Sequence, residues 1–263
     1  MTTSDFIIEL FCRVDEQMID IQKHPQAKLY PSEIVTLALL FAFKGSTFRN
    51  FYRWITRDYL PLFPNLPERS RLARLFKTHQ DWASRFLAEP TLLAVADSFG
   101  IELCHPVREI RFPDLKRIGK KGKSNSRWIV GAKLCVVLNK WGFVAGWQAA
   151  TANVSDTEFH PLLKEFEGKM IILTDTGFHS KEGDPENVKI CERGTWNMRM
   201  MVESVFSLLT RVSHSKQMKH RVWEYLEMRL GYLMAVFNVL TQWRGIEVDE
   251  KGIFHLSLAE FSL

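Results

Sequence analysis

Apolar positions recur at helical spacing through the first third of the chain. Asp5 to about Lys23 is amphipathic, and Pro31 opens a second helix with Ile34, Leu37, Ala38 and Phe41 at i, i+3, i+4, i+7. Gly45 breaks that helix. Ser46 or Thr47 caps a third, with Phe48, Phe51, Tyr52 and Ile55 along one side and Arg49, Arg53 and Arg57 along another. Pro61, Pro64 and Pro67 end this unit. A fourth helix near Glu68–Leu87 buries Leu72, Leu75, Phe76, Trp82 and Phe86. Residues 1–90 therefore read as an all-helical N-terminal domain.

The period changes at residue 91. Apolar runs at 92–97, 127–138, 143–151 and 170–175, with a short one at 187–191, read as strands. Asn139-Lys140-Trp141-Gly142 joins the second and third as a hairpin. Ser155-x-x-Glu158 reads as a capping box opening a helix to about Phe166. Helices are expected from about Thr195 to Val212 and over 221–244, the last apolar nearly all round. Strand, hairpin, helix, strand, helix is the order of an α/β, ribonuclease H-like mixed sheet flanked by helices, spanning 91–263. In that arrangement the first and fourth strands are neighbours.

This topology gives meaning to two acids. Asp97 follows the run Leu92–Ala96, and Asp175 follows Met170–Leu173 with Gly177 two residues on. Taken singly, Asp97 is a strand-end cap and Asp175 a turn residue. On adjacent strands they would repel, and one would hold a proton unless a cation lay between them. Mg²⁺ binds through a few carboxylate oxygens, and a pair of such ions supports phosphoryl transfer. A third acid, Glu203, borders the apolar stripe Val202, Val205, Phe206, Leu209 of the helix WNMRMMVESVFSLLTR. Asp156, after Ser155, reads as a helix-start residue.

These residues resemble the DDE transposases of bacterial insertion sequences. Asp175-Thr176-Gly177-Phe178 is similar to the D-x-G-[YF] motif of one branch. Trp196-x2-Arg199-x3-Glu203-x6-Thr210 is similar to its Y-x2-R-x3-E-x6-K signature, with Trp for Tyr and Thr for Lys. ADSFGIELCHPVR, the strand Gly131-Ala132-Lys133-Leu134 and the turn Ala152–Asp156 also resemble family segments. The resemblance implies that Asp97, Asp175 and Glu203 bind two Mg²⁺ ions, with Mn²⁺ as a substitute. It further implies that Trp196 and Arg199 contact the transposon end; at the signature Lys, either Arg211 or Lys216 replaces the contact or the contact is lost.

Charge and composition add partners and a compartment. The net charge is +5 with a pI near 9.0. The basic segment 108–127 lies beside the expected site, so Lys120, Lys121 and Lys123, with Lys133 and the Arg49, Arg53, Arg57 face, are candidate DNA contacts. Four scattered cysteines lack zinc spacing, and Cys104-His105 has no partner at such spacing. His105 and His179 flank the acids, but Mg²⁺ prefers oxygen. Trp128, Trp141 and Trp147 read as core or hairpin surface. No run is long enough to span a membrane and the start lacks a signal peptide, so a cytoplasmic, nucleoid-associated protein is expected. The expected activity is metal-dependent cutting of element ends and joining of the 3′-hydroxyl to target DNA by a dimer on paired terminal inverted repeats. A ribonuclease H-like nuclease without strand transfer and a domesticated DNA-binding protein are the alternatives.

Overall fold

In a computed structural model of the chain, the described residues are 1–107, 119–124, 127–191, 198–212, 218–245, 247–248 and 254–255. Local chemistry starts and stops the N-terminal helices. Thr2 caps α1 (Thr3–Gln17) by accepting from the Asp5 N–H, and Asp5 accepts in return from the Thr2 N–H. Pro31 stands at the first position of α2 (Pro31–Lys44), where its missing N–H costs nothing. Gly45 ends α2 at φ 68°, a left-handed conformation that glycine takes without strain. Thr47 then caps α3 (Phe48–Asp58) at Asn50. The helix expected over 68–87 is two pieces, α4 (Arg69–Thr78) and a 3-10 turn at Gln80–Phe86, so Trp82 is half-buried rather than buried. The first helix likewise ends at Gln17, short of Lys23.

The sheet contains β1 (Leu93–Cys104), β2 (Lys120–Ser124), β3 (Arg127–Asn139), β4 (Val144–Thr151), β5 (Ile171–Thr174) and β6 (Val188–Ile190). Its order is β4-β3-β1-β5-β6, with β2 pairing the N-terminal part of β3. β1, β3 and β4 are antiparallel neighbours, whereas β1, β5 and β6 run parallel. The 139–142 turn closes the β3–β4 hairpin through Gly142 N–H to Asn139 C=O, with Gly142 at φ 82°. Among the described residues the later helices are α5 (His160–Lys164), α6 (Met198–Val212) and α7 (Trp223–Arg244). Glu247–Val248 and Phe254–His255 pair as a separate two-stranded ribbon.

The two faces of the sheet bury different partners because successive strand residues alternate. Val95 and Ile101 of β1 and Leu134, Val136 and Leu138 of β3 face a core shared with α1–α4, α6 and α7. Ala94, Ala96, Cys135 and Val137 face a smaller core built on Phe159, Leu162, Leu163 and Phe178. α7 is buried along most of its length, as its all-round apolar sequence predicts. At about 1.5–3 kcal/mol for each fully buried large apolar side chain, this helix is a principal contributor to stability. Asn238 fixes it in place. Its carboxamide oxygen accepts from the Val144 N–H at 2.8 Å, and its nitrogen donates to the Phe86 and Val144 carbonyls, each at 2.8 Å. Among the described residues no helix is long and apolar enough to cross a membrane.

Candidate active site

β1 and β5 set the level of the two strand acids. The parallel register pairs Val95 with Leu173. Asp97 and Asp175 each lie two residues further on, so they stand level at the carboxyl end of β5, where open α/β sheets bind ligands. β1 does not stop there. It continues to Cys104, still paired with β3, so Asp97 is a mid-strand residue rather than a strand-end cap. β5 ends at Thr174, which opens the sheet beside Asp97.

Alternation puts Asp97 on the same face as Val95 and Phe99, and the Phe99 ring meets Phe206 of α6 at 4.7 Å. Glu203 lies one turn before Phe206 and is exposed. Asp97 Oδ1 accepts from the Ser98 N–H at 2.7 Å. Asp175 caps a 3-10 turn at Thr176–Phe178 by accepting from the Gly177 N–H at 2.9 Å.

Asp156 has contacts beyond its place at a turn start. Its backbone begins a 3-10 turn (Asp156–Phe159), as a helix-start residue should. Its side chain, however, accepts from the Ser98 hydroxyl and pairs with Lys133 Nζ at 3.3 Å, on the sheet face opposite Asp97. A β-carbon at Gly177 would lie 3.0 Å from both Asp156 Oδ2 and Asp175 Oδ1, so those oxygens are no more than twice that distance apart. The available signal was Gly177 itself, the one residue type that leaves this space empty. The capping box does not form, because the Ser155 hydroxyl bonds the Thr157 hydroxyl instead of a helix N–H.

Negative charge pervades this part of the sheet. Burial pushes the Cys135 thiol well above its usual range, and the carboxylates of Asp156 and Asp97 push it the same way. The nearby histidines are engaged locally. His160 Nε2 bonds the Phe178 carbonyl at 2.7 Å, and His179 Nδ1 bonds Asp184 at 2.8 Å. The Ser180 N–H and His179 together hold the Asp184 carboxyl below the usual range. His105 Nδ1 accepts from the Val107 N–H.

The proposed DNA contacts fall in several places. Lys120, Lys121 and Lys123 are exposed on β2, so part of the expected basic loop is a strand. Gly122 packs directly on the Ala152 backbone, which sets those lysines beside the turn leading to Asp156. Lys121 Nζ lies 5.2 Å from the exposed Trp128 ring. Lys133 is mostly buried and committed to Asp156. Arg49, Arg53 and Arg57 are exposed on α3, but Arg57 forms a two-pronged pair with Asp58 at 2.7 Å. Thr210, at the position of the signature Lys, bonds back to the Phe206 and Ser207 carbonyls of its own helix. Trp196, Lys216, residues 108–118 and the side chains of Arg199 and Arg211 lie outside the described residues.

Among the described residues, no three His, Cys, Asp or Glu side chains are gathered closely enough to hold a metal ion. Asp156 and Asp175 approach each other across Gly177.

Residues 87–186 match the family model described as transposase DDE domain. Over that stretch the chain is similar to the DDE domain of transposases. The match spans Asp97, Asp156 and Asp175 and stops before Glu203. No curated protein matches the chain. DDE transposases generally act with divalent metal ions.

Proposed function

We propose that this protein is a transposase that cleaves DNA at the ends of its element and joins the freed 3′-hydroxyl to target DNA, with Asp97, Asp175 and Glu203 as the catalytic acids of a ribonuclease H-like domain. The observation that carries this reading is the level placement of Asp97 and Asp175 on neighbouring parallel strands inside the transposase match. The donor set suits Mg²⁺ or Mn²⁺, since hard cations take carboxylate oxygens and keep several waters. Asp97 and Asp175 would hold such ions with Glu203. When bound, they supply charge neutralisation at the reacting phosphate and a more acidic water.

The chain's own residues account for the rest. Lys133 and Ser98 orient the Asp156 carboxylate at the rim of the site. The exposed lysines of β2 grip the phosphate backbone, assisted by Arg49 and Arg53 of α3. Trp196, Arg199 and Arg211 serve the strand leading to Glu203. In this scheme residues 1–90 recognise the terminal inverted repeats, residues 91–263 carry the chemistry, and a dimer bridges two ends.

The test uses labelled element ends with Mg²⁺, followed by pre-cleaved ends with a supercoiled target. Wild-type protein is expected to nick and then to join. D97N, D175N and E203Q are each expected to lose cleavage while still retarding end DNA. Full cleavage by any of the three removes that acid from the site. Nicking without joining by the wild type reduces the protein to a nuclease.

A further inference from the structure

A cavity of about 580 Å³ lies between the α2–α3 junction, α4 and the start of α7. Arg229 lines it and is only 4% exposed. The guanidinium stacks over the Phe41 ring at 4.7 Å, its Nε has no hydrogen-bond partner, and no carboxylate among the described residues pairs with it. Burial lowers its pKa to about 10, so it stays charged at neutral pH. A buried cation without a counter-charge is costly and is normally paired or kept for a ligand. His220, on the same cavity, also has an orphaned Nδ1. Burial and then the Arg229 charge push its pKa down to about 3, which keeps it neutral.

The walls narrow the choice of ligand. Phe41, Phe48 and Tyr225 supply aromatic surface, and Phe48 meets Phe41 edge-on at 5.1 Å. Ser46 and Thr47 bring hydroxyls to one side, and the exposed Lys219 and Arg221 stand at the mouth. None of the described lining residues is acidic. A volume of this size lies within the range of about 300–1,000 Å³ for small-molecule pockets. We propose that this cavity binds one nucleotide unit, its base against the aromatic wall and its phosphate on Arg229, supplied either by a free nucleotide or by the 5′-phosphorylated end of a single strand.

Equilibrium binding to the full chain decides this with four probes: AMP, adenosine, inorganic phosphate and a 5′-phosphorylated single-stranded tetranucleotide. AMP or the tetranucleotide is expected to bind at least tenfold more tightly than adenosine or inorganic phosphate. Preference for AMP assigns a free nucleotide, and preference for the tetranucleotide assigns a strand end. R229M is expected to lose at least tenfold in affinity while its melting temperature holds or rises, because an apolar side chain replaces an unpaired buried charge. K219E, at the exposed rim, is expected to weaken binding several-fold without altering the fold, so the site remains testable if R229M is unstable. D97N is expected to bind as wild type, which separates this outcome from that of the cleavage assays. Absence of AMP and tetranucleotide binding at millimolar concentration, equal binding of inorganic phosphate, or unaltered affinity in K219E and in a folded R229M overturns the proposal.

Discussion

Replacing Gly177 with alanine tests whether the spacing of the site acids matters to the chemistry. The added β-carbon would lie 3.0 Å from Asp156 Oδ2 and 3.0 Å from Asp175 Oδ1, inside the 3.4 Å at which ordinary contact begins. Each carboxylate must then retreat by a few tenths of an ångström. Overpacking of this kind costs about 1 kcal/mol at the low end of its range. The loss of glycine's freedom in the unfolded chain returns about 0.4–1 kcal/mol. The two nearly cancel, so the melting temperature should stay within about 3 °C of wild type. Catalysis has no such compensation. A misplacement of about 1 Å costs up to a hundredfold, so a few tenths at two carboxylates comes to about tenfold. Differential scanning fluorimetry and single-turnover cleavage of labelled end DNA measure the two effects on one sample. A G177A protein that melts normally and cleaves at the wild-type rate would refute the idea that this contact sets the geometry of the reaction.

Other perturbations probe separate parts of the molecule. If Lys120 and Lys121 touch phosphates, their joint replacement by alanine should flatten the log–log salt dependence of DNA binding by about 1.8, at about 0.9 for each contact; an unchanged slope returns them to plain surface charge. His220 has its pKa lowered in the folded state, so it favours folding above its unfolded value of 6.5 and loses that contribution as pH falls toward about 3. Between pH 6.5 and 5 the loss is about 2 kcal/mol, and H220N should flatten the pH dependence of urea unfolding there; equal slopes in both proteins would show that another group titrates. N238A removes three buried hydrogen bonds between α7, β4 and the 80–86 turn, so it should cost about 3 kcal/mol in the same assay, and a loss under about 1 kcal/mol would mean that solvent replaces them.

The sequence by itself determined the helices and strands wherever local chemistry and periodicity agreed. Pro31, Gly45 and Thr47 mark boundaries through backbone geometry and capping, which act over three or four residues. The run around Asp97 and the run before Asp175 are readable as buried strands because both of their faces are apolar. The segment 221–244 announces its burial because no face of it is polar. The transposase resemblance, too, rests on residues lying close together in the chain.

What each polar side chain does within that frame depends on the packed chain. Strand length depends on a partner: β1 continues past Asp97 because β3 runs beside it to Cys104, a neighbour invisible in the local pattern. Asp156 begins a turn by its backbone, but its side chain is held by Ser98 and Lys133, which arrive from other strands. Lys133 reads as a phosphate contact in the sequence, and the fold pairs it with Asp156. Thr210 is spent on its own helix, and Arg229 is left unpaired inside a cavity whose walls come from residues 41–48, 73 and 219–229. The physical reason is the same in each case. Backbone propensity is a property of neighbours in sequence, whereas the partner of a charge or a hydroxyl is whatever the packed chain brings within about 3 Å of it.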